Sequence, residues 1–258
     1  MHLEPISSDS FIVMIIEELL KPQVLIAAII VGVSGIIRGF TGTGSALITA
    51  PLFTLLFGPG EAIGIVALLE IGIAIQLMPA AVRLTPWRVV APMTIAGTLL
   101  VPVGAWMLIV TDADVMKQAI ALVVLVSSLI LLSGCRYPGK PTVRNSVSIG
   151  ALSGLLNGAT AMGGPPVTLY ILSTPWAKEV ARAALISHAC LIMVPTFMSL
   201  VVGGVVTWAI VGRALLLLPV YVITTWIGSR AFRTANESAF RRAALWLLVL
   251  VALATLAA

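Results

Sequence analysis

Two stretches of this chain decide its fold: Ser34-Gly35-Ile36-Ile37-Arg38-Gly39-Phe40-Thr41-Gly42-Thr43-Gly44-Ser45 and Ser153-Gly154-Leu155-Leu156-Asn157-Gly158-Ala159-Thr160-Ala161-Met162-Gly163-Gly164-Pro165-Pro166. They form an internal repeat, and each interrupts an apolar helix. An apolar run broken by Gly and Pro at matching places in two halves is typical of a transporter binding site, because unwound backbone at membrane depth is tolerated only where it lines a cavity. At a spacing of 119 residues, the copies share Ser34/Ser153, Gly35/Gly154, Gly39/Gly158, Thr41/Thr160, Gly44/Gly163 and Thr49/Thr168.

The composition is that of a protein embedded in a lipid bilayer. Sixty per cent of the 258 residues are hydrophobic, ten per cent are charged, and the mean hydropathy is +1.13. Since one helical crossing needs about 20 apolar residues, the chain has room for roughly six to ten crossings and for no sizeable soluble domain. The formal charge of +5 resides in short loops between apolar runs, so it sets orientation and does not indicate nucleic-acid binding. The two cysteines have no metal-site spacing, and we expect no metal and no cofactor.

We predict an all-α, polytopic membrane protein of two inverted repeats, each a broken or re-entrant helix pair plus three transmembrane helices. The divisions are an N-terminal interfacial segment (1–22, with an apolar helix at 11–20), a first transmembrane repeat (23–134), a cytoplasmic linker (135–145) and a second transmembrane repeat (146–258). The predicted helices are 24–40 and 45–57 around the first break, 61–82, 87–110 and 114–132, then the broken segment 146–172, and finally 178–202, 205–229 and 238–257.

The distribution of Lys and Arg predicts the orientation. Eleven of the fifteen lie in four places, near residues 83–88, 136–144, 178–182 and 230–242. The positive-inside rule assigns these places to the cytoplasm, while Glu61, Asp112 and Asp114 mark the outer ends. The three long helices of one half then run opposite to those of the other. This opposite orientation requires each broken segment to begin and end on the same side of the membrane, either as a re-entrant hairpin or as two tilted crossings.

Four polar side chains fall at membrane depth and form two repeat-related pairs. Arg38 precedes the first break and Asn157 is its equivalent, whereas Glu70 and His188 occupy matching helices at a spacing of 118 residues. A charge at bilayer depth costs several kcal/mol unless it is paired or faces water, so these residues are functional candidates. Glu70 and His188 are candidate proton-coupling groups. The alternatives are that Glu70 is a static interhelical hydrogen-bond partner and that His188 is a core histidine with both nitrogens bonded.

The breaks themselves predict an anion site. A half-helix that starts at Gly44 or Gly163 directs free backbone N–H groups and its positive dipole end into the break. The same glycine-rich faces are also small-xxx-small surfaces for close helix packing, and the two roles are compatible. The predicted substrate-binding residues are Arg38, Thr41, Gly42, Thr43, Gly44, Ser45, Asn157, Thr160, Met162, Gly163 and Gly164, with Glu70 and His188 as coupling residues and no catalytic residue.

The doubled motif resembles the sulfite exporter TauE/SafE family over the whole chain. The residues that carry the resemblance are Gly39-Phe40-Thr41-Gly42-Thr43-Gly44, followed by Pro51, and the second copy from Asn157 to Pro166. The resemblance implies secondary transport of sulfite, sulfoacetate or a related organosulfonate across the bacterial inner membrane, with export as the expected direction. The first copy departs from the more usual Gly-Gly-Gly by having Gly42-Thr43-Gly44-Ser45.

Other functions compete with this interpretation. A carrier of another small anion, such as a carboxylate, would need the same features. An intramembrane hydrolase would use Ser45 as nucleophile and His188 as base, but the repeat places Gly164 opposite Ser45. No Gly-x-x-x-x-Gly-Lys-Ser/Thr run indicates ATP binding. We therefore predict a transporter and not an enzyme, with a small anion, lipid and protons as partners; the oligomeric state stays open.

The first prediction concerns topology. Both termini should face the periplasm, and the linker should face the cytoplasm, because the basic loops determine the insertion of each half. Reporter fusions at Gly139 and at Ala258 check it, with a cytoplasmic signal expected at Gly139 and a periplasmic one at Ala258. Two reporters on the same side would contradict the inverted repeat.

Overall fold

The computed structural model describes residues 22–133 and 142–232, and over these residues the chain is helical, with no strand. The predicted apolar helix at 11–20, most of the linker and the predicted helix at 238–257 lie outside the described residues. The helices predicted within them are confirmed, with ends that differ by a few residues. They are α1 (Pro22–Thr41), α2 (Ser45–Phe57), α3 (Pro59–Ala81), α4 (Trp87–Val110), α5 (Ala113–Leu132), α6 (Val143–Thr160), α7 (Gly164–Leu172), α8 (Lys178–Val202) and α9 (Trp208–Ala231).

Helix length separates the spanning elements from the short ones. Among the described helices, α1, α3, α4, α5, α8 and α9 are long and apolar enough to cross a bilayer. By contrast, α2 has 13 residues and α7 has nine. At 1.5 Å per residue they are about 20 and 14 Å long, too short for a hydrocarbon core of about 30 Å. The chain is thus a multi-pass membrane protein with two short helices that cannot cross the membrane.

Each short helix is the return limb of a hairpin. The Tyr170 hydroxyl near the end of α7 lies 2.9 Å from the Ser146 hydroxyl near the start of α6, so α7 folds back along α6. In the first half, Ser45 at the start of α2 reaches Glu70 in the middle of α3, and α2 ends where Gly58 turns the chain into α3. Both broken segments thus fold back as hairpins, while their entry and exit on one side of the membrane stay a prediction.

The long limbs of the hairpins pack against the opposite half through glycine. α6 lies along α4, and α1 lies along α9. A Cβ atom added at Gly154 would lie 2.0 Å from the Gly97 carbonyl oxygen, and one added at Gly39 would lie 2.0 Å from the Thr225 carbonyl oxygen. The packing role of these glycines is therefore confirmed. The long limb of each half thus packs against the equivalent helix of the other half, as a two-fold relation would require. The inverted orientation of the two halves in the membrane stays a prediction.

The second prediction follows from this backbone contact. Gly154→Ala should lower the free energy of unfolding by about 1–3 kcal/mol, because the added methyl group must separate α6 from α4. Thermal unfolding in detergent, followed by tryptophan fluorescence, measures the change. Gly212→Ala is the matched control, since nothing lies within 4 Å of a Cβ atom at Gly212. Equal melting temperatures for the two variants would contradict the packing argument.

Candidate functional site

Both long limbs end in the same left-handed turn. Gly42 has φ of 81° and its repeat equivalent Ala161 has φ of 57°. The N–H of Gly42 donates to the Arg38 carbonyl over 2.9 Å, and that of Ala161 donates to the Asn157 carbonyl over 2.8 Å. Space is tight at position 42, because a Cβ atom there would lie 3.0 Å from Cγ of Arg182. The repeat in sequence is therefore also a repeat in backbone geometry.

A threonine stabilises each turn in the same way. Thr41 and Thr160 donate their hydroxyl protons to the carbonyl one turn back, over 2.8 and 2.7 Å. Each hydroxyl oxygen also accepts the N–H two residues ahead, that of Thr43 over 3.4 Å and that of Met162 over 3.3 Å. These hydroxyl groups thus hold the backbone of the breaks in this structure, and the role of Thr41 and Thr160 in substrate binding stays a prediction.

Glu70 is the centre of a buried cluster that joins four helices. Its Oε2 lies 2.8 Å from Nη2 of Arg38, and the two side chains are 1% and 4% exposed. Its Oε1 accepts hydrogen bonds of 2.5 Å from the Ser45 hydroxyl and 2.5 Å from the Tyr221 hydroxyl. Arg38, Ser45 and Tyr221 thus each direct a polar hydrogen at the Glu70 carboxyl group. The cluster ties the end of α1 and the start of α2 to α3 and α9.

Some of the remaining N–H donors of Arg38 have a hydrogen-bond acceptor and one does not. Nη1 donates to the Gly42 carbonyl, and Nη2 also lies 3.8 Å from Sγ of Cys190. The Nε–H group is buried and has no acceptor among the described residues. An unpaired buried donor costs about 1–3 kcal/mol, so such a group calls for a physical explanation. A bound anion at the first break would supply the acceptor that Arg38 lacks.

His188 connects α4, α6 and the second break. Its Nδ1 lies 3.0 Å from the Thr94 hydroxyl, and its Nε2 lies 3.0 Å from the Ser153 hydroxyl. Ser153 donates its single proton to the Gly163 carbonyl over 2.7 Å. Because that proton is used, Ser153 can only accept from His188, so Nε2 carries the imidazole proton and Nδ1 accepts from Thr94. Both nitrogens are bonded, as in the alternative interpretation of His188.

Asn157 joins the second break to α8. Its Oδ1 accepts the Gly163 N–H over 3.2 Å. Its Nδ2 donates to the Thr196 hydroxyl over 2.7 Å and to Sδ of Met193 over 3.7 Å. Asn157 thus attaches the second break to a neighbouring helix through neutral groups. Its repeat equivalent, Arg38, attaches the first break through a charge.

A cavity of about 150 Å³ lies between the two breaks. Thr160 and Gly42 are absent from its wall, while the other predicted site residues are present. Most of the remaining wall is apolar, and Lys178, Arg182 and Phe232 are also part of it. The predicted residues that line the cavity are Arg38, Thr41, Thr43, Gly44, Ser45, Glu70, Asn157, Met162, Gly163, Gly164 and His188.

Sequence reasoning missed residues whose role depends on contacts between helices. Lys178 and Arg182 were used only to predict orientation, although their one-turn spacing at the start of an apolar helix places both on one face. Tyr221 is a polar group in the middle of an apolar run, and that position is the signal that could have identified it.

The contacts of these residues also bear on two other kinds of site, a serine hydrolase site and a metal site. Ser45 donates to Glu70, and His188 is bonded to Thr94 and Ser153, so the serine and histidine of a hydrolase are not hydrogen-bonded to each other. Within residues 22–133 and 142–232, no group of three His, Cys, Asp or Glu side chains is placed to hold a metal ion.

The fold and the cavity together define a class, the polytopic helical membrane proteins in which two broken helices enclose a binding cavity. The family model described as sulfite exporter TauE/SafE matches residues 26–255, nearly the whole chain. The chain belongs to this family, a family of membrane transporters of sulfur anions such as sulfite, and the resemblance of the doubled motif is confirmed. No curated protein and no solved structure matches the chain significantly.

Proposed function

We propose that the protein is a secondary transporter that exports a small sulfur-containing anion, sulfite, sulfoacetate or a related organosulfonate, across the inner membrane. It would work by alternating access around the cavity between the two breaks. The observation that carries the proposal is the convergence of Arg38 and the starts of α2 and α7 on one cavity. These are the groups that bind an anion in a low-dielectric site.

The two helix starts differ in the donors they offer. Ser45 and Ala46 belong to the first turn of α2, where backbone N–H groups have no intrahelical acceptor, and both line the cavity. In α7, Pro165 and Pro166 occupy the first turn and carry no N–H group. The start of α2 therefore offers the denser set of donors, next to Arg38. We place the charged group of the substrate at the first break, with the second break as the opposite wall.

Glu70 gives the site a means of coupling anion transport to protons. A carboxylate paired with Arg38 repels a second anion, and protonation of Glu70 removes that repulsion. A protonated Glu70 can donate to the Ser45 oxygen, which frees the Ser45 hydroxyl proton for the anion. The groups that face Glu70 are Arg38 from α1, Ser45 from α2 and Tyr221 from α9, with Cys190 of α8 behind Arg38.

His188 is the second proposed coupling group. Its Nδ1 is the acceptor that would take up a proton, after which the Thr94 hydroxyl must turn and accept. The bond from Nε2 to Ser153, and hence the support of the second break, survives that change. In this proposal one proton accompanies the anion and offsets part of the charge that crosses the membrane.

The third prediction tests the charge of Arg38. Arg38→Lys should weaken sulfite binding about tenfold, because an ammonium group loses the planar donor geometry. Arg38→Gln combined with Glu70→Gln removes both charges without leaving either one buried and unpaired, and should abolish detectable binding. Isothermal titration calorimetry of purified protein measures the affinity. Arg88→Gln is the control, since Arg88 is exposed and does not line the cavity. Unchanged affinity in the double variant would mean that Arg38 is structural.

The fourth prediction concerns coupling. In proteoliposomes that contain a pH-sensitive dye, the wild-type protein should move protons together with ethanesulfonate, a permanently ionised anion that cannot carry the proton itself. Glu70→Gln should transport without proton movement or should stop. If Glu70→Gln and His188→Gln both transport at the wild-type rate with the wild-type pH profile, coupling through these residues is wrong.

A further inference from the structure

We propose that the groove between α3 and α9, on the surface of the helix bundle, binds one anionic phospholipid, with an acyl chain in the groove and the phosphate group on Arg230. The groove shares no residue with the cavity between the breaks, so this site does not depend on the transported substrate. Three features carry the proposal: the apolar groove itself, a guanidinium group stacked on its wall, and an amide in the wall without a partner in the protein.

The helices α3 and α9 run side by side in the same direction. Glu61 near the start of α3 pairs with Arg213 near the start of α9 over 2.7 Å, and Glu70 in the middle of α3 accepts from Tyr221 in the middle of α9. Both helices therefore end at the same end of the bundle. The basic loops predict that this end is cytoplasmic, and basic pockets between helices on that side are suited to anionic headgroups.

An open groove of about 530 Å³ lies between the second halves of these two helices. Its walls are mostly apolar, and among them Ile75 is 80% exposed and Ile223 is 58% exposed. A hydrocarbon chain in the groove gains van der Waals contact with both helices. Because every lipid has such chains, the selectivity of the site must come from polar groups. The lining residues are Gly72, Ile75, Gln76, Val222, Ile223 and Trp226.

Arg230 supplies the positive charge, one turn beyond Trp226 on α9. Its Cζ lies 3.7 Å from the centroid of the Trp226 ring, and Trp226 is part of the groove wall. The Arg230 side chain is exposed and forms no ion pair or hydrogen bond with any residue that the structure describes. Stacking fixes the plane of the guanidinium group and leaves its N–H edge available to two oxygen atoms of a phosphate.

The Gln76 carboxamide is the polar group of the groove wall. Its Oε1 is buried without a partner, and its side chain forms no hydrogen bond within residues 22–133 and 142–232. A buried amide without a hydrogen bond costs free energy, so Gln76 calls for a partner from outside the protein. The ester oxygens of a phospholipid accept from an NH2 group and lie just inside the phosphate. Gln76 and Arg230 have the same order along the groove, since Arg230 lies one turn beyond the lining residue Trp226.

A second copy of the chain suits this surface less well. Copies related by a two-fold axis at the groove would bring two identical faces together. None of the described residues that line the groove is acidic, so Arg230 of each copy would meet like charge and no carboxylate there. A lipid phosphate provides the negative charge that this face of the protein lacks.

Native mass spectrometry of the full-length protein, with equal amounts of phosphatidylglycerol and phosphatidylcholine, measures the lipid preference. The wild-type protein should bind phosphatidylglycerol about tenfold more than phosphatidylcholine, because a charge-assisted pair with Arg230 stabilises the complex. Arg230→Gln should lose the preference, and Arg230→Lys should keep part of it. Arg88→Gln is the matched control, since Arg88 is exposed and does not line the groove. Equal preference in Arg230→Gln and Arg88→Gln, or none in the wild type, would overturn the site.

A second pair of variants tests the groove with Arg230 in place. Ile223→Trp should lower phosphatidylglycerol binding severalfold, because the indole ring takes the place of the acyl chain. Ile95→Trp is the matched control, since Ile95 is 62% exposed on α4 and does not line the groove. Equal binding by the two variants would show that the lipid lies elsewhere and would overturn the site.

Cross-linking in membranes tests the competing occupant. Ile223→Cys is treated with a short bifunctional thiol reagent, and the wild-type protein supplies the background from its own cysteines. The lipid site predicts no dimer above that background. Dimer formation in high yield would assign the groove to a second copy of the chain and would overturn the lipid site.

Discussion

Arg38 and Glu70 form a buried ion pair, with 2.8 Å between Nη2 and Oε2, and the first helix break is built around it. Removal of either partner would leave an unpaired charge in a low-dielectric interior, at a cost of several kcal/mol. Two hydroxyl groups, those of Ser45 and Tyr221, complete the coordination of the carboxylate. The pair therefore holds the tip of α1, the start of α2, and the helices α3 and α9 in one arrangement.

The second half reaches a similar backbone geometry without charge. Asn157 replaces Arg38, and a neutral His188 with its proton on Nε2 replaces Glu70. Ala161 takes up the left-handed turn that Gly42 takes in the first half. At the breaks themselves, the first half thus contributes charged side chains and the second contributes neutral ones. This division suits a substrate with one strongly charged group, because two charged halves would have to be compensated separately.

The sequence predicted the helices well because each apolar run ends at a proline, a glycine or a charge, and these are local signals. The breaks were predictable because they occur twice. The sequence could not decide between a hairpin and tilted crossings, since that depends on the depth to which α2 returns beside α3. Tyr221 and the Lys178–Phe232 contact were missed because they depend on how α8 and α9 pack. Thr41 and Thr160 were predicted as substrate-binding residues, and in the structure their hydroxyl protons stabilise the turns.

The central claim is that the two breaks enclose one anion site beside Arg38. Selenite has the shape and charge of sulfite, and its selenium atom scatters X-rays anomalously, so crystals of the protein grown with selenite locate the anion directly. The account predicts an anomalous peak inside the cavity, with selenite oxygens within about 3 Å of the Ser45 N–H and of a guanidinium nitrogen of Arg38. Peaks confined to the protein surface, or a cavity without a peak at saturating selenite, would contradict it.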